Sequence, residues 1–132
     1  VDPRDLFRGD YVILAYEIST LDISSLQKDV TEFKQNDKVY VSLNKADNYG
    51  TVSGVFINKP KEGLFIKGTI KNVQSDRVTI EYGIESYFVP EGKGREIERQ
   101  TGRNLDVKVY IDKLGNAVIK DLLIDGNVFR FE

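Results

Sequence analysis

Hydrophobic and polar residues alternate along most of the chain, and this period of two predicts β-strands. The clearest run is 105–112, in which Leu, Val, Val and Ile alternate with Asp, Lys, Tyr and Asp. Similar alternation covers 12–18, 39–43, 64–70 and 78–84. Strands of this kind bury one face and expose the other, so most of the chain is predicted to pack as half-buried sheet.

Turn residues separate these runs, and the short spacing predicts mainly antiparallel neighbours. Asp125-Gly126 suits a two-residue hairpin turn, because both residues tolerate positive φ. The sequence therefore predicts a single domain over 1–132, of the all-β class, as a mainly antiparallel barrel or sandwich with one or two short helices.

Two segments are candidates for those helices. In 22–34, Ser24 or Ser25 would cap a helix whose one face carries Leu, Val and Phe. In 94–102, Gly102 would end a helix of about two turns. Ile97 is the only large apolar residue of that second segment, which predicts a helix on the surface.

Composition removes several kinds of chemistry. The 132 residues include no Cys, His, Met or Trp. Ser-His-Asp and Cys-His catalysis are therefore excluded, and so is a disulfide framework. Carboxylate, Lys and Tyr chemistry stays open, and no metal or cofactor is predicted. A formal charge of −2 gives no electrostatic footprint for nucleic acid.

Hydropathy gives no membrane span within the chain. No apolar run approaches the roughly 20 residues that cross a bilayer. Because the chain starts at Val1 rather than Met, we expect any signal or membrane anchor to lie in a removed N-terminal segment.

The first distinctive stretch is GDYVILAY, residues 9–16. Alternation places Tyr16 on the apolar face of the strand, where its ring would fill core volume. Gly9 would allow a sharp entry into the strand, and Asp10 would bind backbone N–H groups or a nearby arginine. Tyr11 falls on the opposite face, so it is predicted to contact a partner.

The second stretch is YFVPEGKGREIE, residues 87–98, where Pro and Gly residues permit an unusual backbone. Glu91 with Glu96 or Glu98 would supply paired carboxylates, although a solvated helix surface also explains them. Loops on rigid scaffolds are where binding residues gather. The candidate binding residues are Arg4, Asp5, Arg8, Asp10, Tyr11, Tyr87, Glu91 and Glu98. The residues predicted to shape the two stretches are Gly9, Leu14, Tyr16, Pro90, Gly92 and Gly94.

Residues 9–16 match G-D-Y-x-x-L-x-Y at every specified position, and the chain resembles the GDYXXLXY family named for that motif. VDPRDLFR before the motif and YFVPEGKGREIE after it also resemble family stretches. These proteins are bacterial, uncharacterised and generally described as membrane-anchored. The resemblance implies a soluble extracytoplasmic domain, tethered by an N-terminal helix, and brings no established reaction.

The resulting hypothesis is a non-enzymatic β-domain that binds a protein, for example another membrane or envelope protein, and is a monomer as this fragment. One alternative is a hydrolase using Asp10, Glu17, Glu91 or Glu98, which requires two carboxylates in one pocket. A barrel that binds a small ligand is another. The segment Pro3 to Asp10 also resembles the run after the serine of signal peptidases, which implies at most an inactive relative.

Overall fold

The computed structural model of the protein describes residues 10–13, 16–46, 49–99 and 105–130. Its strands are β1 Asp10–Ile13, β2 Thr20–Asp22, β3 Gln27–Lys28, β4 Lys38–Ala46, β5 Tyr49–Phe56, β6 Leu64–Gln74, β7 Arg77–Glu81, β8 Ser86–Val89, β9 Leu105–Ile111, β10 Ala117–Ile124 and β11 Asn127–Val128. The α-helix α1 is Gly94–Glu98, and two 3₁₀ turns are Glu17–Ser19 and Ile23–Ser25. The predicted all-β class, mainly antiparallel and with a short helix, is confirmed.

Contacts between Cα atoms divide the described residues into two compact units. The larger unit comprises 16–46, 49–83 and 111–117, and the smaller one comprises 10–13, 84–99, 105–110 and 118–130. The single domain stays a prediction from the sequence.

The larger unit is built on one six-stranded sheet in the order β2-β7-β6-β4-β5-β3. Only the short β3 joins it in parallel, through Gln27 opposite Gly54, and the other neighbours are antiparallel. Its buried side chains come from nearly every strand. They are Leu21, Ile23, Phe33, Val39, Val41, Val55, Phe65, Ile66, Ile70, Val78, Ile80 and Tyr82.

The alternation predicted for 78–84 is present in the structure. Val78, Ile80 and Tyr82 are each at most 5% exposed, whereas Glu81 is exposed. The Tyr82 hydroxyl donates to the carbonyl of Ile18 at 2.5 Å, so this buried phenol has the polar partner that burial requires.

The helix predicted over 22–34 is wrong. The segment holds one 3₁₀ turn, Ile23–Ser25, followed by β3. The carboxylate of Asp22, rather than Ser24 or Ser25, provides the cap by accepting the Ser24 N–H at 3.0 Å. Because β3 pairs with β5, the backbone of residues 27–28 has partners outside 22–34. This tertiary pairing outweighs the weak helical pattern of the segment.

The tip of the β9–β10 hairpin, 111–117, belongs to the larger unit. The Asp112 carboxylate accepts hydrogen bonds from the backbone N–H groups of Leu114 and Asn116 and from the Asn116 amide. These bonds, led by that from the Asn116 side chain, lower the pKa of Asp112. Lys67 lies on β6, just before the residues that pair with β7. Its N–H donates to Gly115 O at 2.9 Å, so the hairpin tip takes the place of β7 beside this end of β6.

The smaller unit contains two sheets, β1 with β8 and β11-β10-β9 in that order, together with α1. The buried apolar side chains of its described residues are Ile84, Val89, Ile97 and Leu122. Ile84 lies just before β8, and the other three lie in β8, α1 and β10. The predicted Asp125-Gly126 turn joins β10 to β11, with φ of 53° and 81°, as a two-residue hairpin with positive φ at both positions requires.

Candidate functional site

The two distinctive sequence stretches meet in one antiparallel ladder, which we name the motif sheet (Asp10–Ile13 and Ser86–Val89). Asp10 lies opposite Val89, Tyr11 opposite Phe88 and Val12 opposite Tyr87. The sequence analysis named candidate binding residues in both stretches without a register between them. The backbone pairing supplies that register and brings the two stretches together.

A tight turn leads from the motif sheet to α1. Pro90 O accepts the N–H of Lys93 at 3.0 Å, and Gly92 has a φ of 87°. A turn with positive φ at its third residue favours glycine there, because a Cβ would be strained. Pro90 therefore occupies the first position of this turn, and Gly92 occupies the position that needs a positive φ.

Helix α1 is held by a single apolar side chain. Ile97 is 0% exposed and Gly94 is also buried, whereas Arg95, Glu96 and Glu98 are exposed. The helix contacts β1. The predicted surface helix is therefore present, begins at Gly94 as expected, ends at Glu98, and is seated by Ile97. Gly102, its predicted end, lies outside the described residues.

Charges around the turn are mostly at the surface. Lys93 and Glu96 form an ion pair at 3.7 Å with both side chains partly in water. Pairs of this kind contribute roughly 0–1 kcal/mol, so the ion pair adjusts the helix without holding it. Burial of Ile97 is the stronger attachment.

The predicted binding residues fall into three groups. Tyr87 is half-buried on β8, and Glu91 and Glu98 are exposed on the turn and at the end of α1. Asp10 and Tyr11 are placed by their backbone register in β1. Four of the other predicted residues and one glycine lie outside the described residues: Arg4, Asp5, Arg8, Leu14 and Gly9. A binding role stays a prediction for the eight candidate binding residues, and a role in shaping the first stretch stays a prediction for Gly9 and Leu14.

The prediction for Tyr16 is wrong in its local structure. A strand through 12–18 would place Tyr16 in the core, but Glu17–Ser19 is a 3₁₀ turn and Tyr16 is half-buried in front of it. Tyr16 N–H donates to Ser19 Oγ at 3.1 Å, and Ser19 N–H donates to Tyr16 O at 3.0 Å. Serine side chains compete with sheet ladders in this way, which explains why the strand does not continue.

Phe88 was missing from the predicted site residues. Its side chain is 44% exposed, whereas its neighbour Val89 is 1% exposed. Alternation along Tyr-Phe-Val would have indicated this, since a buried Val89 places Phe88 on the other face. The structure therefore adds one large apolar side chain to the surface of the motif sheet.

The hydrolase hypothesis requires carboxylates converging in a pocket. Among the described residues, no group of three or more Asp or Glu side chains is arranged to hold a metal ion. A wide, shallow depression in the larger unit is lined by Leu26, Lys28, Asp29, Val30 and Thr31.

Asp29, the carboxylate in that depression, has a structural role. It accepts hydrogen bonds from the N–H groups of Ile57 and Asn58 and from the Asn58 amide, at 2.8–3.0 Å. Burial raises the pKa of Asp29, but these hydrogen bonds outweigh it, and the pKa lies below its ordinary value. Asp29 therefore stays ionised and ties 57–58 to the segment after β3.

Comparison with known proteins gives one positive result. The family model described as GDYXXLXY protein matches residues 1–122. A search of curated proteins found no match, and a search of solved structures likewise found none. No helix in the described part of the chain has the length and apolarity needed to span a membrane.

Proposed function

Since the chain belongs to the GDYXXLXY family, we propose that it is a membrane-tethered extracytoplasmic β-domain that binds another envelope or membrane protein. The observation that supports this most directly is the motif sheet, which joins the two stretches that mark the family resemblance. The role proposed for this surface is recognition, with no bond made or broken.

An exposed aromatic side chain favours recognition at the motif sheet. Phe88 is 44% exposed, and its register partner is Tyr11, the residue predicted to contact a partner. Large apolar side chains cluster at the centres of protein interfaces, where their burial supplies much of the binding energy. The turn and α1, which follow β8 in the same unit, add exposed charges that suit the polar rim of an interface.

Composition also favours recognition over catalysis. The chain has no His and no Cys, which removes the commonest general base and the thiolate nucleophile. The exposed Glu91 and Glu98 suit ion pairs or hydrogen bonds to a partner. A binding role uses the side chains that this surface offers without asking for a nucleophile.

Photocrosslinking of the full-length protein in its membrane tests the binding role. We expect p-benzoylphenylalanine at position 88 to form one discrete protein adduct, because the proposed partner covers Phe88. Leu64 is the matched control, since it is 43% exposed and lies in the larger unit. Added wild-type domain should compete the adduct away, whereas a Phe88→Ala domain should compete at least about tenfold less well.

Equal adducts from positions 88 and 64, or equal competition by the two domains, would overturn this role for the motif sheet. An adduct that depends on position 88 identifies the partner by mass spectrometry. The readout therefore tests the surface and names the protein in the same sample.

Labelling of a single introduced cysteine tests the proposed location. The 132 residues contain no Cys, so a Lys59→Cys variant of the full-length protein introduces a single thiol into this domain, in an exposed loop. We expect a membrane-impermeant maleimide to label it in intact spheroplasts. A Val39→Cys variant is the control, because Val39 is 1% exposed and should react only after denaturation. Labelling of Lys59→Cys only after permeabilisation would contradict an extracytoplasmic domain.

A further inference from the structure

Strand β9 lies at the edge of the three-stranded sheet formed by described residues, which has the order β11-β10-β9. It is seven residues long. Proteins commonly shorten, bend or cover an edge of this kind, because a row of unpaired N–H and C=O groups attracts another strand. An edge strand of this length therefore raises the question of what pairs with it.

The hairpin geometry indicates which backbone groups face that edge. Asp112 N–H donates to Asn116 O at 2.9 Å across the β9–β10 hairpin. In an antiparallel ladder, alternate residues direct both backbone groups to the same neighbour. Val109 and Val107, at odd spacing from Asp112, therefore direct their N–H and C=O groups away from β10.

The exposed face beside this edge is basic and apolar. We name it the Lys–Tyr strip (Lys108, Tyr110, Val118 and Lys120), and all four residues are exposed. Tyr110 and Val118 are 57% and 61% exposed, the highest values among the large hydrophobic side chains described. Lys120 Nζ lies 5.0 Å from the centre of the Tyr110 ring, within the range of a cation–π contact.

We propose that the edge of β9 takes up an extended, acidic segment of a partner protein as an added antiparallel or parallel strand. The backbone of the segment bonds to Val107 and Val109. Its acidic side chains lie on the exposed face, toward Lys108 and Lys120, and the apolar side chains between them take the opposite face, beside the half-buried Val107 and Val109. Added strands are recognised in this way, with affinity from the main chain and specificity from alternate side chains.

The observations favour a peptide over an anionic lipid surface. Headgroups would satisfy the two ammonium groups, but they offer no strand to pair with the N–H and C=O groups of Val107 and Val109. Two lysines also attract an anionic membrane only weakly, because recognition of acidic lipids takes a larger cluster of basic residues. The strip and the strand edge together fit an extended chain.

Fluorescence anisotropy of the domain with labelled peptides of about eight residues tests the inference. One peptide alternates Glu with Val, and the control has Lys in place of Glu. We expect binding of the Glu peptide alone, weakening with added salt because the contacts are ionic. A Lys108→Glu/Lys120→Glu variant should bind at least about tenfold more weakly. The matched control is Lys59→Glu/Lys61→Glu, two exposed lysines of the larger unit with the same change in charge.

Hydrogen exchange followed by NMR separates strand addition from simple charge attraction. The Glu peptide should slow exchange at the amides of Val107 and Val109, while that of Lys108 stays unchanged. Equal binding of both peptides, or equal loss in both lysine variants, would overturn the proposal. Binding of phosphatidylglycerol vesicles without binding of the Glu peptide would also overturn it, in favour of a lipid surface. A Phe88→Ala domain should bind the peptide normally, so this test is independent of the motif sheet.

Discussion

Replacing Ile97 with alanine is expected to lower the free energy of unfolding by about 2–5 kcal/mol. Ile97 is 0% exposed and is the side chain that seats α1. The smaller unit has few buried apolar side chains among its described residues, so a cavity at this position removes a large share of its core. Urea unfolding followed by circular dichroism measures the change, with tyrosine fluorescence as a second probe because the chain has no Trp.

Two variants calibrate that result. Ile97→Val removes one methylene group and should cost only about 0.5–1.5 kcal/mol. Arg95→Ala changes an exposed residue of the same helix and should stay within about 0.5 kcal/mol of the native protein. If Ile97→Ala cost no more than Arg95→Ala, α1 would not be seated by Ile97. Photocrosslinking at position 88 should also weaken in Ile97→Ala, since α1 contacts β1 of the motif sheet.

Replacing Gly68 with alanine is expected to destabilise the larger unit by about 1–3 kcal/mol or more. A Cβ at this position of β6 would lie 2.4 Å from Ile80 Cγ2 and 3.1 Å from the backbone oxygen of Glu81. Ile80 is 1% exposed and cannot move aside without disturbing the core. The strain falls where β6 and β7 pair, so thermal unfolding should show a lower midpoint temperature.

Gly50→Ala provides the matched control within the same sheet. Gly50 also lies on a strand, but a Cβ there would meet only Leu43 side-chain atoms at 3.8–3.9 Å, which is ordinary van der Waals contact. Its stability should be unchanged or raised by about 0.4–1 kcal/mol, because alanine restricts the unfolded chain. Equal losses from Gly68→Ala and Gly50→Ala would mean that strand propensity, rather than close packing at Ile80, explains both.

Local patterns were reliable wherever the controlling interaction is local. Alternation at 78–84 predicted the buried Val78 and Ile80, because the period of two follows from strand geometry alone. Asp125-Gly126 predicted its hairpin turn, because the φ preferences of these residues are intrinsic. The start of α1 after a run of Pro and Gly was likewise indicated by neighbouring residues.

Local patterns failed where a distant partner decides the backbone. The segment 22–34 has helical spacing, yet β3 pairs with β5 and the Asp29 carboxylate binds 57–58. At Tyr16, reciprocal hydrogen bonds with Ser19 form a 3₁₀ turn where the pattern predicted a continuing strand. In both places a few hydrogen bonds outweigh propensities of only tenths of a kcal/mol per residue.

The same distinction between local and distant interactions applies to the fold class and the candidate surfaces. The sequence by itself determined the all-β class, the absence of His and Cys chemistry, and the two stretches that mark the family resemblance. The tertiary structure alone decided that these stretches pair as β1 and β8, that Phe88 is exposed while Ile97 is buried, and that β9 lies at the edge of the sheet among the described residues. Register and burial depend on contacts between residues far apart in the chain, and hydrophobic periodicity specifies which face is apolar without specifying what covers it.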